Sequence, residues 1–296
     1  MSEIDVARTD AVAQEAARVA APPRVLHRLL RRPAAVCALV ILLVMTGAAL
    51  LAPVITGDPN AFVAVARLRP PSFSQIFGTD NLGRDVYSRT VFGAQASLTA
   101  GIVTALITTA IGVVLGILAG MFRWFDAIVM RIVDGVMSFP IIVLALSMTA
   151  ILGPGLGTVI LAMVIVFVPG MTRVVRSTAL VASGLPMVDA ARAVGASGAR
   201  IFWKYVLPQC STPILVQAAI TFTTAVLVES ALSFIGAGLP PDVPSWGASL
   251  SEARNYLTTA PWMWGFPGLA LILTVLSMNI LIDNVRDIMD PRAGGR

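Results

Sequence analysis

The sequence predicts an all-α integral membrane protein with six spanning helices, and three observations carry that prediction. Hydrophobic residues fill 57% of the 296 positions and charged residues only 12%, with a mean hydropathy of +0.85. A chain this apolar cannot coat a globular surface with charge, so a bilayer is the solvent that fits it. Six stretches approach the length of about 20 apolar residues that a spanning helix needs. They lie at roughly 34–55, 96–120, 127–152, 156–178, 211–236 and 263–284. With the N-terminus placed in the cytoplasm, Lys and Arg fall 16 on the inner side against 5 on the outer, which is the asymmetry that sets membrane orientation.

Taken in order, the first 23 residues are Ala-rich, with Glu3, Asp5, Asp10 and Glu15 scattered among them. They lack a cationic segment followed by an apolar core and a small-residue cleavage site, so residues 1–33 read as a cytoplasmic tail and basic segment. The membrane domain then covers 34–292, and 293–296 form a short tail. Between the first two spans, Gly78 to Arg89 reads GTDNLGRDVYSR. Thr79 or Asp80 is the expected N-cap of an interfacial helix carrying Leu82, Val86 and Tyr87 into the second span. Asp80, Asn81 and Asp85 have oxygens that suit calcium, yet the spacing of a calcium loop is missing.

Gly112, Gly116 and Gly120 clear one face of the second span for close approach of another helix. Pro140 and Pro169 interrupt the third and fourth spans and predict kinks, with Gly153 to Gly157 as the turn between those spans. Arg131 and Asp134 stand three residues apart, a spacing that permits a local ion pair. Asp283 and Asp287 are expected to pair with Arg286 or with a partner chain. Cys37 and Cys210 read as two small buried hydrophobes and carry no disulfide framework.

The chemistry missing from the chain narrows its function. His27 is the single histidine, which rules out a His-rich metal site, and no metal centre is expected. Lys204 is the single lysine and stands between Trp203 and Tyr205, so no phosphate-binding loop of the G-x-x-x-x-G-K-[ST] type exists. No basic run interleaved with aromatics points to nucleic acid. Gly195-Ala196-Ser197-Gly198 matches the GxSG pattern of intramembrane serine proteases, but it falls in a polar loop without a histidine partner in a span. Ion-coupled transporters carry several acids near the bilayer midplane. Here Glu229 is the clear case, about 24 Å into its helix and toward the outer face. It reads either as a carboxylate hydrogen-bonded to Ser230 or a neighbouring helix, or as a lining residue of a translocation path.

The most informative stretch is the polar island from Val188 to Pro208, VDAARAVGASGARIFWKYVLP. Leu185 to Val194 predicts a short helix, with Pro186 in its first turn and Ala190, Ala191 and Ala193 as a shallow surface. Gly195 ends it, Gly198 permits a turn, and Ala199 to Leu207 predicts a second amphipathic helix that stops at Pro208. Arg192, Arg200 and Lys204 offer charge to a partner or to anionic headgroups. Local physics leaves both lipid contact and protein contact open.

The spacing D-A-A-x-x-x-G-x(11)-L-P on Asp189, Ala190, Ala191, Gly195, Leu207 and Pro208 resembles the EAA loop of ABC-importer permeases, with Asp where Glu is usual. Three further segments resemble the branch of that family that imports dipeptides and oligopeptides. They are the outer-loop motif with Gly78, Thr79, Asp80, Gly83, Arg84 and Asp85, the stretch from Glu229 to Leu250, and the close from Asn279 to Arg292. The resemblance covers roughly residues 25 to 292.

It implies a type I ABC-importer-like permease fold with both termini cytoplasmic, in a bacterial inner membrane and in contact with its lipid. It further implies a coupling loop at 185–208 that docks into an ATPase subunit. The chain itself then needs no cofactor, because ATP and Mg are bound by two partner ATPase subunits. A homologous second permease subunit and an extracytoplasmic solute-binding protein complete the expected assembly. A nickel or glutathione permease is the alternative within the family. An ion-driven secondary transporter and an intramembrane serine protease are the alternatives outside it.

Overall fold

The computed structural model describes residues 28–289. Most of the expected N-terminal tail, His27, the end of the closing motif and the 293–296 tail lie outside the described residues. Among the described residues all regular structure is helical, apart from one isolated antiparallel bridge between Thr79 and Asp85. The first two helices are α1 (Pro33–Ile55) and α2 (Val86–Met121). A short pair follows, α3 (Arg123–Met137) and α4 (Ile141–Leu152), and then the long α5 (Leu156–Ser183). The island supplies α6 (Pro186–Ala193) and α7 (Gly198–Ile201), continued by a π turn at Phe202–Val206. The chain closes with α8 (Leu207–Phe234), α9 (Trp246–Ala253) and α10 (Trp262–Met289).

Five helices are long and apolar enough to cross a membrane, and six spans result if α3 and α4 count as one broken span. The centre of the bundle is the pair α2 and α5, with α8 packed against both and α1 set beside α10 on the flank. The glycine stripe makes the central pair possible. A Cβ at Gly112 would stand 2.5 Å from Met171, and one at Gly116 would stand 2.7 Å from the Thr172 carbonyl oxygen. At Gly120 it would meet Ala179 at 2.9 Å, so all three glycines are pressed against α5.

Several expectations are corrected. The second span begins ten residues earlier than its apolar stretch, because Asp85 caps α2 and not Thr79 or Asp80. The Asp85 carboxylate accepts the Tyr87 and Ser88 amides at 3.3 and 3.0 Å, the usual work of an N-cap. Residues 78–85 form turns and the Thr79–Asp85 bridge, not the expected interfacial helix. Pro140 does more than kink the third span: α3 and α4 meet at 88° across Ser138 to Pro140. By contrast, Pro169 sits inside an unbroken α5.

The ion pairs also differ from the local expectation. Asp134 pairs with Arg173 of α5 at 2.7 Å rather than with Arg131, because the neighbouring helix presents its cation face-on. Asp287 pairs with Arg32 at 3.0 Å, since antiparallel packing brings the start of α1 beside the end of α10. The same guanidinium donates to Asn284 at 3.0 Å. Cys210 is buried as expected, whereas Cys37 is exposed on the outward face of α1.

Candidate functional site

The island is a self-closed unit at one end of the bundle. Leu185 is extended, Pro186 occupies the first turn of α6 where a missing N–H costs nothing, and Asp189 and Arg192 pair along one face at 3.3 Å. At the other end of α6, Gly195 adopts φ +81°. Its amide donates to the Arg192 carbonyl at 2.9 Å, and the Ala196 amide donates to the Ala191 carbonyl at 3.0 Å. This bond pair is a Schellman closure, and Ala191 and Ala196 supply its small apolar contact.

The second half departs from expectation. Pro208 does not stop the helix: α7 passes through the π turn into α8, and Pro208 becomes a first-turn residue. The widened turn, in which the Leu207 amide donates to the Phe202 carbonyl, makes room for a ring that lacks an N–H. Val188, Ile201, Val206 and Cys210 are buried against Ala179 and Ala182 of α5, which fixes the island to the ends of both α5 and α8. The opposite face is bare. Met187, Asp189, Ala190, Arg192 and Val194 are exposed, Val194 by 89%. Leu207 is half-buried and Pro208 exposed. Ser197, the serine of the protease-like pattern, accepts the Arg200 amide at 3.4 Å as a turn cap.

At the opposite end, the outer-loop motif is consumed by internal bonds. Gly78 and Gly83 take φ +73° and +79° where a Cβ would strike the Arg69 and Val63 carbonyls. The Thr79 hydroxyl donates to the Ala66 carbonyl and accepts the Arg69 amide, while the Trp262 indole donates to the Thr79 carbonyl at 3.0 Å. Asp80 accepts the Leu82 and Arg84 amides and the Arg84 guanidinium at 2.8, 2.9 and 2.6 Å. Arg84 and Arg89 both reach Glu252 of α9, at 2.5 and 3.1 Å. Two guanidinium groups thus face two carboxylates and tie the loop, α2 and α9 together. Of the three oxygen-bearing side chains noted in this loop, Asp80 and Asp85 spend their carboxylates on amide, hydroxyl and guanidinium donors.

This cluster carries a stability prediction. Arg84→Met leaves Asp80 and Glu252 with half their compensation, and is expected to destabilise the detergent-solubilised protein by about 2 kcal/mol. Adding Glu252→Gln should recover part of that loss in a thermal unfolding series; strictly additive losses would mean the two residues do not interact.

Glu229 lies just beneath the cluster and is fully buried. Its carboxylate accepts hydroxyls from Ser97 of α2 at 2.8 Å, from Ser233 one turn on at 2.8 Å and from Ser230 at 3.4 Å. The Trp246 amide donates to Ser97 and the Leu239 amide to Ser233, which extends the network into the loop before α9. Of the two sequence readings, the hydrogen-bonded one matches this geometry. The Ser97 partner stands 132 residues away in sequence, and Trp246, which also bonds the Thr90 carbonyl, was not anticipated as part of this site. Ser230 is the local partner the sequence offered, and Ser233 at i+4 is a second local signal that it carried.

A multi-pass helical bundle with an ion-paired cluster at one end and an exposed two-helix island at the other has the build of a membrane transport subunit. Comparison with known proteins agrees. Residues 112–295 match the family described as binding-protein-dependent transport system inner membrane component, and residues 24–71 match the N-terminal TM domain of oligopeptide transport permease C. A protein of Brucella suis biovar 1 (strain 1330) named for peptide transport permease function is 43% identical over 90% of both chains. A permease of Escherichia coli K12 named for D,D-dipeptide transport is 41% identical over 81% of both. Among solved structures, a chain of the MetNI methionine ABC transporter in inward-facing conformations superposes with a TM-score of 0.55 at 22% identity. That match covers 68% of this chain and 97% of the other, and it concerns the fold. The chain therefore belongs to the binding-protein-dependent transport system inner membrane component family, as an ABC transporter permease of the peptide and dipeptide group in the inner membrane.

Proposed function

We propose that the chain forms half of the translocation path of an ATP-driven importer of dipeptides and oligopeptides, and that residues 185–208 couple it to a cytoplasmic ATPase subunit. The supporting observation is the island's construction: bare on one face, and locked on the other to the ends of α5 and α8. A push on α6 is transmitted to two central helices, because Val188 cannot slide over a buried cluster without lifting Ala179 and Cys210 with it. In this reading the island and both termini face the cytoplasm, ATP and Mg stay on the partner ATPases, and a second permease covers the remaining face. The solute-binding protein meets the end formed by the 57–85 loop and α9. Asp189, a methylene shorter than the usual Glu, is held by Arg192 through one oxygen at 3.3 Å and keeps the other open to a partner.

Gly195 provides the test. The space beside it is open, so only its left-handed backbone restricts substitution. Asn tolerates that conformation and a β-branched residue does not, at a cost of roughly 1–2 kcal/mol or more. In cells with the complete transporter, Gly195→Asn should keep labelled-dipeptide uptake near wild type and Gly195→Val should cut it roughly tenfold or more with normal insertion. Equal uptake in both variants rejects the coupling role. Competition by unlabelled tripeptide, but not by nickel or glutathione, separates the peptide reading from its family alternative.

A further inference from the structure

An apolar groove runs along the bundle surface where the end of α2 meets the π turn and the first turn of α8. Val114, Leu118 and Phe122, spaced one helical turn apart, form one wall, and Trp203 and Leu207 form the other. Ile117 closes the floor and belongs to the core cluster with Met171 and Val175. No element of the chain among the described residues fills it. The wall from Val114 to Phe122 is about 12 Å long, in the terminal third of a spanning helix, so the groove opens sideways into hydrocarbon. Its mouth is marked by Trp203, 68% exposed and braced edge-on by Phe202 with ring centroids 4.9 Å apart. An indole so placed belongs to the membrane–water boundary.

Charge indicates what enters. The residue after each wall's aromatic is a cation, Arg123 after Phe122 and Lys204 after Trp203, and both are exposed. The acidic groups of α3 and the island are paired, Asp126 with Arg176, Asp134 with Arg173 and Asp189 with Arg192, while Asp283 lies on α10 outside the groove's lining. Neither Arg123 nor Lys204 has a carboxylate within ion-pair distance among the described residues. A partner helix laid in the groove would cover the apolar walls, but would need acids of its own at this end to answer the two cations. A phospholipid answers both features at once, with its chain against the walls and its phosphate between the lips.

We propose that this groove binds one acyl chain of an anionic phospholipid from the leaflet bordering the island, with the phosphate held by Arg123 and Lys204. Since Trp203 and Leu207 lie on the segment that joins the island to α8, the lipid braces that segment against α2. The site does not depend on the island engaging an ATPase, and its test leaves transport aside.

The complete transporter, purified in mild detergent, is mixed with phosphatidylglycerol and phosphatidylcholine in equal amounts, and retained lipid is read by native mass spectrometry. Wild type should retain phosphatidylglycerol selectively. Arg123→Gln and Lys204→Gln should each lower that retention roughly fivefold, as expected for loss of one surface cation near an anionic headgroup. Leu118→Trp, which fills the groove, should lower it further while the second permease still co-purifies. Retention unchanged in the two cation variants overturns the proposal, and these exposed positions do not threaten folding. Loss of the second permease from Leu118→Trp, with lipid retention intact, also overturns it and places a protein helix in the groove.

Discussion

Glu229→Leu is expected to destabilise the permease by about 3 kcal/mol, because it removes the acceptor shared by three serines and leaves their enclosed O–H groups without that acceptor. Leucine fills nearly the same volume, so the loss reports hydrogen bonding rather than a cavity. Glu229→Gln keeps one acceptor oxygen and lets a serine rotate to accept from the amide, and it should cost roughly half as much. The damage should localise at α9. In a Cys37→Ser, Cys210→Ala background, a cysteine at the fully buried Ala253 should resist a water-soluble maleimide, and should react once Glu229 is leucine. An Ala253 cysteine that stays protected in the Glu229→Leu protein would show that the carboxylate does not hold α9 in place.

Gly116→Leu should be more damaging still. Its Cβ would lie 2.7 Å from a carbonyl oxygen and 3.0 Å from the Arg176 amide nitrogen, both backbone atoms that cannot swing aside. Either α2 and α5 separate along their length or the chain fails to assemble, a loss of about 3 kcal/mol or more. Gly47→Ala is the control: it lies within α1 with nothing near its Cβ, so it should be neutral or gain up to about 1 kcal/mol of helix propensity. Membrane-fraction abundance and thermal denaturation followed by size-exclusion chromatography would separate the two. A Gly116→Leu protein as abundant and stable as wild type would mean that the central helix pair is not where the bundle derives its strength.

The spans were legible because bilayer thickness imposes a minimum apolar length, and no other feature of the chain imitates six such stretches. Their ends were less so. The first ten residues of α2 include Ser88, Arg89 and Thr90, polar enough to break the hydropathy signal, yet buried: Arg89 reaches Asn60 of the loop and Glu252 of α9, Ser88 donates to the Asp85 cap and Thr90 to the Val86 carbonyl. A proline reveals that a hydrogen bond is lost, not whether the helix resumes its direction; Pro169 and Pro140 gave opposite outcomes. Ion pairs were misassigned wherever spacing alone suggested them, since Asp134 and Asp287 found cations 39 and 255 residues away. In the island, Gly195 announced the end of α6, because a left-handed cap is a local property of the backbone. Pro208 misled, because the π turn that accommodates it is written in no single residue.

The right-angle break between α3 and α4 has a consequence for the chain's life in the cell. With 12 residues, α4 reaches about 18 Å, short of the hydrocarbon thickness, and α3 turns away from it. Where this corner lies at hydrocarbon depth, its peptide groups without a partner cannot face lipid tails, so water or another polypeptide must line that side. A copy synthesised without company would display an unsolvated corner to every membrane protease it met. Its lifetime, and so the stoichiometry of the finished complex, would then be set by how quickly that corner is covered.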